Sequence, residues 1–144
     1  MFNVQPSAVG NSRWFRTSGD TYDNNIRMNF PDNWIWRDGP DTRRNHVVFP
    51  LDRTGDVEFR ATLHPPTSPN GELVYRIFGG TVLLYTSQPL TSGDSPINVS
   101  ADVRPHSRLR IELDMRHTGG FNTVFHFDES FLGIENAVVV RIDS

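Results

Sequence analysis

Val57-Glu58-Phe59-Arg60-Ala61-Thr62-Leu63-His64 places an apolar residue at every odd position and a polar one at every even position. That two-residue period belongs to a strand with one buried and one solvated face, and no helix produces it. The pattern recurs further along. Ile97, Val99, Ala101 and Val103 alternate with Asn98, Ser100 and Asp102, and Leu109, Ile111 and Leu113 alternate with Arg108, Arg110, Glu112 and Asp114. Antiparallel sheets tolerate a wet face whereas parallel sheets are covered on both, so the chain reads as an all-β antiparallel β-sandwich rather than an α/β core.

Working outward, strands are expected near 46–51, 56–64, 72–78, 81–87, 97–103, 107–115, 122–127 and 136–142, with an earlier one at Ile26-Arg27-Met28-Asn29-Phe30 that Pro31 ends. The first 45 residues are less regular, with aromatic islands at Trp14-Phe15 and Trp34-Ile35-Trp36. Consecutive antiparallel strands reverse direction, so connections alternate between the two ends of a sandwich. Asp52-Arg53-Thr54-Gly55, Gly79-Gly80 and Arg104-Pro105-His106 are tight turns that fall at one end. The longer loops 31–45, 65–71, 88–96 and 116–121 fall at the other. Binding residues gather on loops held by a rigid scaffold, so the long-loop end is the expected functional surface.

At 144 residues the chain has the size of one domain, 1–144, able to bury a core without disulfides. A net charge of −3 removes the electrostatic reason to propose nucleic acid. No apolar stretch approaches the ~20 residues of a membrane-crossing helix, so no membrane insertion is expected. All 14 basic side chains are Arg, a bias that coding composition explains as readily as a need for guanidinium groups. The absence of Cys excludes thiolate zinc sites and cysteine nucleophiles and fits either redox compartment. Met1-Phe2-Asn3-Val4-Gln5-Pro6 lacks the basic and apolar regions of a secretory signal. The expected compartment is therefore the cytoplasm for a complete chain, or the exterior for a module cut from a secreted one.

Five blocks in order resemble the NPCBM family of carbohydrate-binding modules: Asn45-His46-Val47-Val48-Phe49-Pro50-Leu51, Val57 to Leu63, Gly71-Glu72-Leu73-Val74-Tyr75-Arg76-Ile77, Leu84-Tyr85-Thr86-Ser87-Gln88-Pro89-Leu90 and Asn98-Val99-Ser100-Ala101-Asp102-Val103. Gly133-Ile134-Glu135-Asn136-Ala137-Val138 sits where such modules resume their last strand, so the resemblance covers roughly residues 22–142. It departs at Gly79-Gly80, where a Gly-Asp turn is the family pattern, and between 115 and 133, where the family's Trp-bearing stretch is unmatched. The resemblance implies a jelly-roll sandwich of the galactose-binding-like type, lectin-like and non-catalytic, that holds a sugar, possessing a galactose-type preference.

Within that reading Trp34 and Trp36 present indole faces to the C–H face of a sugar ring, while Arg37, Asp38 and Asn70 hydrogen-bond its hydroxyls and His117 and Phe121 stand at the rim. The indoles serve equally well as core, because large aromatics supply much of a small domain's burial. Gly19-Asp20-Thr21-Tyr22-Asp23-Asn24-Asn25 and Asp38-Gly39-Pro40-Asp41 offer the oxygen ligands of a structural calcium, although the same residues crowd turns for conformational reasons. The five His residues are scattered without zinc-ligand spacing. His126 and Asp128 are the nearest approach to an acid–base couple and read better as a surface pair. Arg43-Arg44 could clamp a carboxylate. No nucleophile elbow or phosphate-cradling loop is present, so no catalysis is expected. The competing reading is a protein-interaction or accessory module, docked on a partner domain within a larger bacterial regulatory or defence protein.

Overall fold

The computed structural model describes residues 8–9, 13–16, 24–27, 35–36, 41–120, 123, 125–126 and 133–141, with the backbone alone described at 8–9, 13–16, 24–27, 35–36, 41–43, 45, 126 and 141. The strands are β1 (Ala8–Val9), β2 (Arg13–Arg16), β3 (Asn24–Arg27), β4 (Ile35–Trp36), β5 (Asp41–Pro50), β6 (Asp56–Leu63), β7 (Gly71–Gly79), β8 (Val82–Thr86), β9 (Ile97–Asp102), β10 (Arg108–His117), β11 (Phe125–His126) and β12 (Ile134–Arg141). Among the described residues there is no helix, and hence none long and apolar enough to cross a membrane.

One five-stranded sheet runs β1-β5-β10-β7-β8, the other β2-β3-β12-β6-β9, and β4 pairs with β11 apart from both. All pairings are antiparallel. The alternation that predicts the strands also builds the core. Leu73, Tyr75 and Ile77 of β7, with Leu109, Ile111, Leu113 and Met115 of β10, face Phe59, Ala61 and Leu63 of β6 and Ile134, Ala137 and Val139 of β12. The result is a β-sandwich whose two inner faces interdigitate.

Two strand expectations need correction. The strand expected at 46–51 begins at Asp41, so residues 41–45 are not loop. Their apolar alternation is absent because the segment is held by its register with β10, where Arg44 lies opposite Asp114 and Asp41 opposite His117. The last strand starts at Ile134, not 136. Its register with β6 slips between Glu135 and Val138, and Asn136 sits at φ 55°, a left-handed conformation that asparagine tolerates. This bulge turns both Ile134 and Ala137 inward although they stand an odd number of positions, three, apart. The strands expected at 122–127 and at Ile26–Phe30 are described over Phe125–His126 and Asn24–Arg27; Thr123 is not in a strand, and the remainder lies outside the described residues.

The expected sorting of connections holds. Pairing of Pro50 with Arg108, Gly79 with Leu109 and Asp56 with Arg141 brings the turns 51–55, 80–81 and 103–107 to one end. They are stitched to each other: Leu51 N–H donates to Ser107 O at 2.9 Å, Gly80 N–H to Arg108 O at 2.9 Å and Arg53 Nε to Pro105 O at 3.1 Å. The Arg104–Pro105 peptide is cis, and Gly80 supplies φ 59°. Pairing of Asp41 with His117, Gly71 with His117 and Leu63 with Ile134 brings 64–70, 87–96 and the segment after His117 to the opposite end. The 87–96 connection is itself fastened, since Leu73 and Leu90 exchange both backbone hydrogen bonds at 2.9 and 2.8 Å.

Candidate functional site

The long-loop end rests on three buried rings. Tyr75 in mid-β7 is fully buried, and its hydroxyl donates to His64 O at 2.7 Å and Gly133 O at 3.1 Å. Burial pushes that phenol far above its ordinary range, so it stays a donor. Gly133 O also accepts the His64 N–H at 2.9 Å. One phenol therefore joins the exit of β6 to the entry of β12. Phe125 is fully buried with its ring against Gly71, leaving no room there for a Cβ.

His117 closes β10 and is fully buried, so its expected place at the rim is corrected to one beneath the loop. Its Nε2 lies 3.1 Å from Thr123 O and 3.1 Å from Thr123 Oγ1, whose hydroxyl donates to Gly120 O at 2.6 Å. A carbonyl oxygen only accepts, so the proton sits on Nε2. Asn70 does stand at this end. At φ 71° its carbonyl accepts from Thr118 N–H at 2.9 Å and Gly119 N–H at 3.1 Å, holding residues 118 and 119 against the β6–β7 loop. Asn70 and His117 are thus brought together by one loop. Trp36 lies in β4 opposite Phe125 of β11, which ties its backbone to the same end. Trp34, Arg37, Asp38 and Phe121 lie outside the described residues, as do Asp128 and most of both stretches proposed for calcium.

Beside this end, the outer face of the β6–β9 ladder holds an open depression of about 370 Å³, lined by the side chains of Arg60, Thr62, Asn98, Ser100 and Asn136, with the inward-facing Ala61 and Val99 between them in the ladder. Thr62 Oγ1 donates to Asn98 Oδ1 at 2.8 Å, which leaves the Asn98 amide NH₂ as its donor for an incoming group. Arg60 Nε donates to Glu58 Oε1 at 2.6 Å, and that hydrogen bond raises the guanidinium pKa further. A second depression of about 340 Å³ continues along the same ladder past Ser100 to Glu58, Asp102 and Arg104. There the hydrogen bonds from Arg104 hold the Asp102 carboxyl at about 2. The sequence reading missed this face. Its signal was available in the outward positions of two neighbouring strands, where Thr62 and Asn98 stand opposite each other.

The opposite outer face also carries ion pairs. Arg44 Nε is 2.9 Å from Asp114 Oδ1, Arg76 pairs with the other oxygen of the same carboxylate, and Arg110 pairs with Glu112 at 2.8 Å. Arg44, expected as part of a clamp for an external carboxylate, is occupied by an internal one. Among the described residues no group of three or more His, Asp or Glu side chains is placed to hold a metal. No protein-family model and no curated protein matches this chain.

Proposed function

We propose that this chain is a non-catalytic carbohydrate-binding module of the galactose-binding-like, jelly-roll type. The observation that carries the reading is the β6–β9 depression: amide, hydroxyl and guanidinium groups side by side on one open face, with no carboxylate among the described residues that line it. Such a set matches the hydroxyls of a sugar ring, which need many directional partners and no net charge. The strand order supports the jelly roll. With β1, β2, β4 and β11 set aside, β3, β5 to β10 and β12 stand in the two sheets in the order first-eighth-third-sixth and second-seventh-fourth-fifth, the arrangement of two interlocked Greek keys.

The site is placed where the depression meets the long-loop end. Trp34 or Trp36 supplies the aromatic platform, Arg37, Asp38, Asn70 and Asn98 the polar contacts, and Phe121 the rim, with His117 positioning the loop from below. A shallow open surface implies weak affinity, with a Kd near 1 mM corresponding to about 4 kcal/mol.

The test is a titration of the labelled protein with galactose and N-acetylgalactosamine followed by amide NMR. Shifts are expected at Thr62, Asn98 and Ser100, saturating in the millimolar range. Asn98→Ala should weaken binding by about tenfold, the worth of one or two hydrogen bonds, and Trp36→Ala should abolish it, both with an unchanged melting transition. Silence up to about 100 mM, well past any Kd that carries specificity, would sink the reading and transfer it to the accessory-module alternative.

A further inference from the structure

Among the described residues, two that are not glycine hold a positive φ, Asn70 at 71° and Asn136 at 55°. Asn70 turns its carbonyl onto Thr118 and Gly119. Asn136 has a different setting, inside β12, where an extended φ is the rule. Glu135 stands opposite Thr62 and Val138 opposite Arg60, so Asn136 and Ala137 together face the single residue Ala61. Ala137 takes the buried position, which leaves Glu135 and Asn136, consecutive in sequence, both on the outer face. A regular strand would have turned Asn136 into the core. Instead it is exposed and lines the β6–β9 depression from β12, while Asn98 lines it from β9. Its neighbour Glu135 is engaged elsewhere, with Oε1 3.6 Å from His64 Nε2. Glycine is the default residue for a bulge at positive φ. A bulge that carries a polar side chain onto a candidate site re-aims that side chain, and sparsely populated backbone conformations collect where function holds them.

We propose that the β12 bulge is a recognition device: it brings the Asn136 carboxamide to the outer face so that Asn136 and Asn98 grip opposite edges of a single hexopyranose ring lying across β6, an assignment that rests on the sugar reading of the depression. β12 and β9 flank β6 on its two sides, so their backbones stand about 10 Å apart, twice the spacing of neighbouring strands. One ring with a hydrogen bond at each edge fills that gap. Asn98 presents its NH₂, because its Oδ1 accepts from Thr62 at 2.8 Å. The Asn136 carboxamide brings both donor and acceptor, which suits a hydroxyl in either role. Arg60 and Thr62 lie between the two amides on β6. Two different hydroxyls of one ring are therefore read by two different strands.

Glycine keeps the bulge and removes only the carboxamide, so Asn136→Gly separates recognition from shape. Titrated with methyl galactoside and followed by the amide shifts of Thr62 and Ser100, this variant should bind about tenfold more weakly than the wild type. Its melting transition and the β12 amide spectrum should stay as they are. Methyl galactosides lacking one hydroxyl at a time then locate the contacts. One of them should bind the wild type about tenfold more weakly yet bind Asn136→Gly as well as the parent sugar does, and a different one should behave in that way with Asn98→Ala. If Asn136→Gly binds as tightly as the wild type while Asn98→Ala binds more weakly, the bulge only shapes the strand, and the proposal fails with the sugar reading intact. It fails in the same way if both variants couple to the same hydroxyl. A wild type that shows no shift with any of these sugars overturns both.

Discussion

Tyr75 does more at the long-loop end than fill volume. Its ring is part of the core, and its hydroxyl reaches two carbonyls, those of His64 and Gly133, which belong to connections far apart in sequence. A buried carbonyl that loses its donor keeps its desolvation cost, so the hydroxyl is worth more than its size suggests. Tyr75→Phe should lower stability by about 1–2 kcal/mol, read as a shift of the urea midpoint with an unchanged slope. Asp114 follows related logic. It points outward from β10 yet is only 7% exposed, because Arg44 and Arg76 close over it from the strands on either side. Neither role is visible in the local sequence: Tyr75 and Asp114 sit in ordinary alternating strands, and what singles them out is the cross-strand neighbour.

At the scale of the element, strand contacts depend on where glycine lets another segment approach. Gly71 opens β7 with the Phe125 ring against its backbone, and Phe125 in turn is the β11 residue opposite Trp36. Gly71→Ala should displace that ring and cost about 1–3 kcal/mol, the range for overpacking, whereas Gly93→Ala, with open space around it, should stay within about 0.5 kcal/mol. Chemical denaturation of the two variants compares them directly. The strands with uninterrupted alternation, β6, β7, β9 and β10, were legible in the sequence to within two residues, because one wet face forces a period of two. β12 was legible only after its bulge, since Asn136 shifts the period by one. The first half of β5 was hidden because Asp41 to Asn45 carries no apolar pattern and owes its place to β10. Loop lengths alone sorted the connections between the two ends of the sandwich as the strand register does. The depression beside the long-loop end depends on which two strands are neighbours, a long-range fact that no single stretch encodes.

At the scale of the whole molecule, the two ends differ in how they are closed. The turns 51–55, 80–81 and 103–107 are bonded to one another, and His106 packs against Gly79. The other end has longer connections, but they are not all loose. Residues 64–70 and 118–120 are joined through the Asn70 carbonyl, and the 87–96 connection returns to β7 at Leu90 before it departs again. Beyond Leu90 the chain from Thr91 to Pro96 is exposed throughout, closed on itself by the Asp94 N–H to Thr91 O hydrogen bond at 3.0 Å. The Leu73–Leu90 clasp makes this lobe a cul-de-sac: the seam behind it is already shut, so lengthening it asks nothing of the barrel of side chains below. A foreign Gly/Ser stretch spliced between Asp94 and Ser95 should therefore leave the melting midpoint nearly where it was, since doubling a loop costs only about 0.6 kcal/mol. The same splice between Gly79 and Gly80 would pry open a turn wedged beneath an imidazole, and that chimera should melt well below its sibling. The protein thus carries a ready berth for cargo in the six exposed residues from Thr91 to Pro96.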